Sequence, residues 1–447
     1  MSKNRSAHLR GDRGQAFAAL VRGISPEQIL CVCVDISKYF HVAMIHNSLG
    51  EIITPPFEVD IYQSGLDQLC QKIEAARLQV QAQVVLVGME PTSHYFENLA
   101  RHLLDRSQPV KLVNSFSVKQ NREQQLMRRE KTDQIDVAAI GDLLRRGEGT
   151  PYQPPSRIYL QLQQIDRVRL GKLKIETMLK NQILGHLDRI FPGLVLIGEA
   201  AQERYTPFFN VDFWQCRTLQ ALIRICPNPH QLAGMSPEQL IRLFHTQKCR
   251  MGPAMAAKII AQAQKTLLPD PELAAIRCEL LQHDLALLES VQAHIASLEQ
   301  RLTSLLAQTP YQVWTKFKGI SSVQAASLAA AIGDPAHYTE AAQVFRRSGL
   351  VSGRNDSGTH QRKGRGNPIL KVGDVYLRRN LMNAVSTLLV HQPALYCYYK
   401  RLALSKPAGV ARVATARKAI GLLWAAQRDQ FSNTLIHCKA YYWKNVK

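Results

Sequence analysis

The sequence has no uninterrupted apolar run of the ~18–20 residues that a bilayer-spanning helix needs. Residues 1–23 are polar and basic, without the apolar core of a secretory signal. These absences argue against a membrane protein and for a cytoplasmic one. Cysteine pairing is missing as well: the nine cysteines are odd in number and scattered, and none forms a Cys-x-x-Cys pair. Cys31 and Cys33 lie inside an apolar run, so reduced, buried thiols are expected rather than a disulfide framework or a zinc site. No repeat with a period of roughly 20–50 residues is visible. Acidic residues are the scarce charge. There are 35 Asp+Glu against 56 Lys+Arg, a formal net charge of +21 over 447 residues. Such an excess says little about fold but selects a polyanionic partner, nucleic acid above all.

What is present is globular: 46% hydrophobic and 20% charged residues, on a chain long enough for two to four domains. Residues 1–27 read as a flexible basic arm carrying Lys3, Arg5, Arg10 and Arg13. Residues 28–149 alternate short apolar runs with amphipathic stretches. Strands are expected at 29–36, 39–45 and 51–54, the third stopped by Pro55–Pro56, and then at 84–87 and 110–113. Helices are expected at 65–78, from 95, at 117–127 and at 133–145, which together make an α/β sheet with an antiparallel extension. After a Pro-rich break, residues 150–310 read as a helical linker. Its stripe of Leu288, Val291, Ile295, Leu298, Leu302 and Leu305 fits either a coiled coil or a long helix packed on its own domain. Residues 311–447 form a further region, mainly helical and rich in Arg and Lys. In it, residues 318–334 read as two short helices about a Gly–Ile turn, resembling a helix–hairpin–helix. Lys318 stands at that turn, which would offer backbone N–H groups to a phosphate.

Four acids recur at positions suited to a metal. Asp35 ends the first strand, and Glu90 follows the later valine-rich strand. Parallel and adjacent, those strand ends would lie on the order of 5 Å apart. Asp133 and Asp136 would share one helical face, with Cβ atoms about 5–6 Å apart. Taken singly, each could be a turn, cap or helix-dipole residue. Four gathered carboxylates cannot all remain ionised without a counter-charge, and a hard divalent cation such as Mg²⁺ resolves the conflict while leaving sites for phosphate.

A Gly-, Ser- and Arg-rich loop spans residues 349–366. Ser357 lies there among Arg354, Arg362, Lys363 and Arg365, groups able to position a phosphate and offset charge developing on it. A serine needs a base or metal for activation, with Asp356 and His360 as nearby candidates and Ser348 and Ser352 as rival nucleophiles. Such a loop could equally do no more than grip a phosphate backbone.

Val34-Asp35-Ile-Ser-Lys38, Met89-Glu90-Pro-Thr92, Lys131-Thr-Asp133-Gln-Ile-Asp136, Ser357–Gly358, Tyr376-Leu-Arg-Arg379 and Ala416-Arg-Lys418 occur in that order. In them the chain resembles the DEDD transposases of bacterial insertion sequences, the group that includes the pilin-gene invertase and the bridge-RNA-guided recombinases. Ser352 stands where a proline is common, Ser321 replaces a glycine of the turn and Val137 replaces a frequent alanine. The resemblance implies a RuvC-like, ribonuclease-H-type domain, a long helical coiled-coil linker and a mainly helical C-terminal transposase domain, an α/β plus all-α chain. It implies Mg²⁺ on Asp35, Glu90, Asp133 and Asp136, and Ser357 as nucleophile. Lys131, Lys318, Arg354, Arg362, Lys363, Arg365, Arg378 and Arg379 are then expected to contact nucleic acid. The implied partners are DNA (element ends and target), a structured guide RNA and further copies of the chain, from dimer to tetramer. A RuvC-like endonuclease that hydrolyses branched DNA with metal-activated water is the alternative.

Overall fold

The computed structural model describes residues 11–126, 132–194, 213–351, 369 and 372–428. The chain divides into two compact units, Met1–Pro154 and Pro155–Lys447.

The first unit is built on a six-stranded sheet. Its strands are β1 (Ile29–Asp35), β2 (Phe40–Asn47), β3 (Ile52–Asp60), β4 (Val84–Met89), β5 (Val110–Leu112) and β6 (Thr150–Pro151), in the order β3-β2-β1-β4-β5-β6. β1, β2 and β3 form an antiparallel meander, β1, β4 and β5 run parallel, and β6 closes the edge antiparallel to β5. This is the RuvC-like α/β arrangement expected of the sequence. The central β1 is buried from Leu30 to Val34, as its unbroken apolar run requires. Pro55–Pro56 were expected to stop β3, yet the strand runs through them. It is an edge strand, where a missing N–H removes no ladder bond.

Helices cover both faces of the sheet. Side chains of α2 (Gln63–Gln79) and α3 (Phe96–Asp105) form a core with one face: Leu66, Leu69 and Ile73, with Leu99 and Leu103, meet Leu30, Val32 and Val87. α4 (Ser115–Leu126) and α5 (Asp133–Arg145) form the opposite core, where Val118, Val137, Ile140 and Leu144 meet Cys31, Cys33 and Leu86. The basic arm, expected to be flexible, carries a helix where it is described. α1 (Gly11–Leu20) follows residues 1–10, which lie outside the described set, and Phe17, Val21 and Ile24 pack on that second core.

The elements described in the second unit are helices. α6 (Arg157–Ile190) and a second long helix, α7 (Pro271–Leu306), pair antiparallel for about 50 Å at 1.5 Å per residue. Arg169 binds Glu299, Gln292 binds Glu176 and His186 faces Asp284, so the partner's number falls as that of α6 rises. The apolar stripe is therefore covered from within the chain: Leu288, Val291 and Ile295 share one core with Leu179, Ile183 and Leu187. Of the two readings of that stripe, packing on its own domain describes these residues. At the other end of the hairpin, Leu162 and Leu302 join a core with the alanine-rich α8 (Ser322–Ile332) and with α9 (Val375–His391) and α10 (Ala408–Arg428). The expected pair of short helices around the Gly319–Ile320 turn is instead a 3₁₀ segment, Pro310–Lys316, before the turn and α8 after it.

Candidate active site at the carboxyl ends of two parallel strands

The sheet register brings two of the acids together. Val34 pairs with Met89 in the parallel β1–β4 ladder, so the next step sets Asp35 beside Glu90, both half-buried. One interstrand spacing separates such neighbours, about 4.7–4.9 Å. Here the connections of β1 and β4 diverge, the position at which α/β sheets bind ligands.

Helix α5 brings the third acid. It crosses the sheet closely because Gly141 has no Cβ; one there would collide with the His46 ring and press on the Cys33 thiol. Gly141 lies over Cys33 and, one turn later, Arg145 is near enough to Cys31 for its charge to act on that thiol, so the helix runs back along β1. Asp136 precedes Gly141 by five residues, about 7.5 Å of helix, and Asp35 lies two residues past Cys33, about 6.6 Å of strand. Asp136 therefore sits toward the Asp35 end. It is 4% exposed, and Arg122 of α4 donates from Nη1 to its Oδ1 at 2.5 Å. Asp133 is exposed at the first position of α5, and the helix is capped by Thr132, whose Oγ1 accepts the Ile135 N–H at 3.3 Å.

Divalent-metal use goes with the DEDD transposase domain, and the donor set here is all carboxylate, the chemistry a hard cation takes. Among the described residues, no three His, Cys, Asp or Glu side chains are grouped closely enough to hold an ion. Asp35 and Glu90 fit as a two-carboxylate platform, while Asp136 gives one oxygen, Oδ1, to the Arg122 guanidinium. Arg122 escaped the sequence reading; nothing in the sequence distinguishes it from other basic residues of an amphipathic helix. Thr132, the cap, was missed as well, and its place directly before a helix with acids in its first turn is the signal that would have found it.

In the second unit, Ser357, Arg354, Arg362, Lys363 and Arg365 lie outside the described residues, as do Ser352 and, in the first unit, Lys131. The two stems of the serine loop are described. The Asp374 N–H donates to the Arg347 carbonyl at 2.8 Å, the same two side chains form an ion pair at 3.6 Å, and Arg378 Nη1 donates to the Ser348 carbonyl at 3.0 Å. Gly373 has φ +144, and a Cβ on it would strike the Arg347 carbonyl. Arg378 therefore has a role in tying the stems together. Ser348 is buried, donates to the Phe345 carbonyl at 2.6 Å and accepts the Leu350 N–H, so its oxygen is engaged in the fold. Lys318 and Arg379 are exposed. Arg379 lines a groove of about 820 Å³ with Gly319, Ser321, Asn383 and His391.

Comparison with known families gives two matches in the same order. A DEDD transposase model of the IS110 type, described as a transposase, matches residues 32–192. A second, described as transposase IS116/IS110/IS902 family, matches residues 311–400. No curated protein matches the chain. The first match contains Asp35, Glu90, Asp133 and Asp136, the second spans the serine loop, and together they cover more than half of the sequence. The chain belongs to the IS110 family of DEDD transposases, DNA transposase/recombinase enzymes of insertion sequences.

Proposed function

We propose that this transposase cuts and rejoins DNA through a phosphoserine intermediate at Ser357, with Mg²⁺ held by Asp35, Glu90, Asp136 and Asp133. The observation that carries the reading is the adjacency of Asp35 and Glu90 at the carboxyl ends of parallel strands. The serine Oγ forms one P–O bond as the bond to the leaving sugar oxygen breaks, and that oxygen departs with a proton as a hydroxyl. An incoming hydroxyl reverses the exchange, so the number of phosphodiester bonds is conserved. Bound Mg²⁺ would offset the charge gathering on phosphate and leaving oxygen. Arg354, Arg362, Lys363 and Arg365 would hold the phosphate, and Lys131, Lys318 and Arg379 the neighbouring backbone. Clamped loop stems support this reading, because a nucleophile must be delivered to one place.

The proposal extends to a structured guide RNA, to assembly as a dimer or tetramer and to a cytoplasmic site of action. The +21 charge suits RNA and DNA backbones alike, and specificity delegated to base pairing needs no readout motif in the protein. The test is a nicked DNA substrate that traps a covalent intermediate. Wild-type protein should yield a protein–DNA adduct, Ser357→Ala none, and Asp35→Asn should abolish strand exchange. Free ends without an adduct would point to hydrolysis by metal-activated water, and wild-type exchange by Ser357→Ala would remove serine from the mechanism.

A further inference from the structure

A second groove opens at the same end of the sheet as Asp35 and Glu90, on the face covered by α2 and α3, while the two acids follow the alternation of Cys33 and Gly88 toward the other face. It holds about 470 Å³, within the ~300–1,000 Å³ of clefts that take small organic groups. Lys38 stands three residues past Asp35 and His94 four past Glu90, so two of its walls continue directly from the strands that end in the acids.

Its lining combines aromatic faces with positive charge. Tyr62 is 72% exposed, and neighbouring Tyr39 is 69% exposed. Large rings left in water this way mark a contact surface. Lys38 holds its ammonium 4.9 Å above the Tyr39 ring, and the His94 ring lies against Tyr95 with centroids 4.4 Å apart. Arg101 adds a second fixed cation at the rim. The one carboxylate of the lining, Asp60, accepts the Tyr62 and Gly65 N–H groups and the Ser64 hydroxyl, so its charge is spent on the start of α2. His41 lies buried in the lining, and its Nδ1 accepts the Ser37 N–H at 3.3 Å, which leaves the ring proton on Nε2. Burial lowers the pKa of that ring, so it stays a neutral donor at neutral pH.

We propose that this groove receives one unpaired nucleotide of the DNA strand that passes Asp35 and Glu90 and crosses the end of the sheet, its base stacked on Tyr62 and its backbone on Lys38 and Arg101. The proposal rests on the reading of the acid pair as the DNA-cutting centre. Aromatic faces interleaved with cations bind single strands without sequence preference, because every base has a π-face and every linkage a charge. A paired base within a duplex keeps its faces covered and cannot use them. The neutral His41 N–H would meet an acceptor on the base edge.

The test uses the full-length protein with a single-stranded DNA oligonucleotide carrying 2-aminopurine, the same sequence as duplex DNA and the same sequence as RNA. Single-stranded DNA should show quenching of 2-aminopurine on binding. Tyr62→Ala should weaken single-strand binding roughly ten- to hundredfold, the range of one lost stacking contact. Tyr62→Phe should bind as wild type, and duplex affinity should be the same in all three proteins. Equal single-strand affinity for wild type and Tyr62→Ala, equal weakening of single strand and duplex, or Tyr62 dependence with RNA alone would each overturn the proposal. Asp35→Asn separates the two readings: it should end strand exchange and keep the Tyr62-dependent binding. If Asp35→Asn exchanges strands normally while that binding persists, the cutting-centre reading fails and the groove stands as a single-strand site.

Discussion

Arg122 and Asp136 give the sharpest test of the acid site. Their side chains are 15% and 5% exposed and form an ion pair at 2.5 Å in the core between α4 and α5. Arg122→Ala leaves a buried carboxylate without its cation, a change that costs about 3–5 kcal/mol. At 1.4 kcal/mol per tenfold, that is roughly two to three and a half decades in the opening equilibrium of the first unit. All four tryptophans lie at or beyond Trp214, so fluorescence reports only on the second unit. Amide hydrogen exchange in β1 is the suitable assay, because Leu30–Val34 are fully buried and exchange only when the sheet opens. Mg²⁺, bound as proposed with Asp136 among its ligands, would then take the place of the lost guanidinium. At about a hundred times its dissociation constant Mg²⁺ would return ~2.7 kcal/mol, or about two decades of protection.

Wild-type protein should gain less from Mg²⁺, because Arg122 already neutralises Asp136. Arg122→Ala combined with Asp136→Asn should show neither the large loss nor the large recovery. Two results would refute the reasoning. One is Arg122→Ala exchanging as slowly as wild type without metal. The other is Mg²⁺ protecting wild type, Arg122→Ala and the double variant to the same degree.

Two further perturbations probe other parts of the chain. Gly373→Ala combines a φ of +144 with a collision at the Arg347 carbonyl, so it should open the stem of the serine loop. A destabilisation of about 1–3 kcal/mol in tryptophan-monitored urea unfolding is expected, with strand exchange falling more than tenfold; exchange at the wild-type rate would deny the stem a role in placing the loop. Burial holds His41 and His46 below the ordinary imidazole value, so both bind protons more readily in the unfolded chain. Their contribution is complete above the unfolded value of about 6.5 and is lost as the pH falls below it toward the folded values. Exchange in β1, corrected for its intrinsic rate, should accelerate over that window, and His46→Gln should flatten the slope; the wild-type slope in both His41→Gln and His46→Gln would exclude both rings.

The parts legible in the sequence were those fixed by local periodicity. β1 reads as a buried strand because Ile-Leu-Cys-Val-Cys-Val offers no polar face, and its central place in the sheet demands just that. Asp35 and Glu90 were legible as strand-end acids, and the parallel register that joins them follows from the crossover through α2. What could not be read depends on partners remote in the chain. Pro55–Pro56 signal a strand end unless the strand is known to lie at an edge, a property of the sheet and not of the segment. The stripe from Leu288 to Leu305 has the same spacing whether its partner is another chain or α6, more than a hundred residues upstream. Arg122 is the instructive case. Fourteen residues from Asp136, it looks like any solvated base on an amphipathic helix, and only the crossing of α4 with α5 turns it into the counter-ion of a buried acid. The motif thus names the carboxylates, while packing decides which of them meets a cation already supplied by the protein, and the chemistry of the site depends on that second fact.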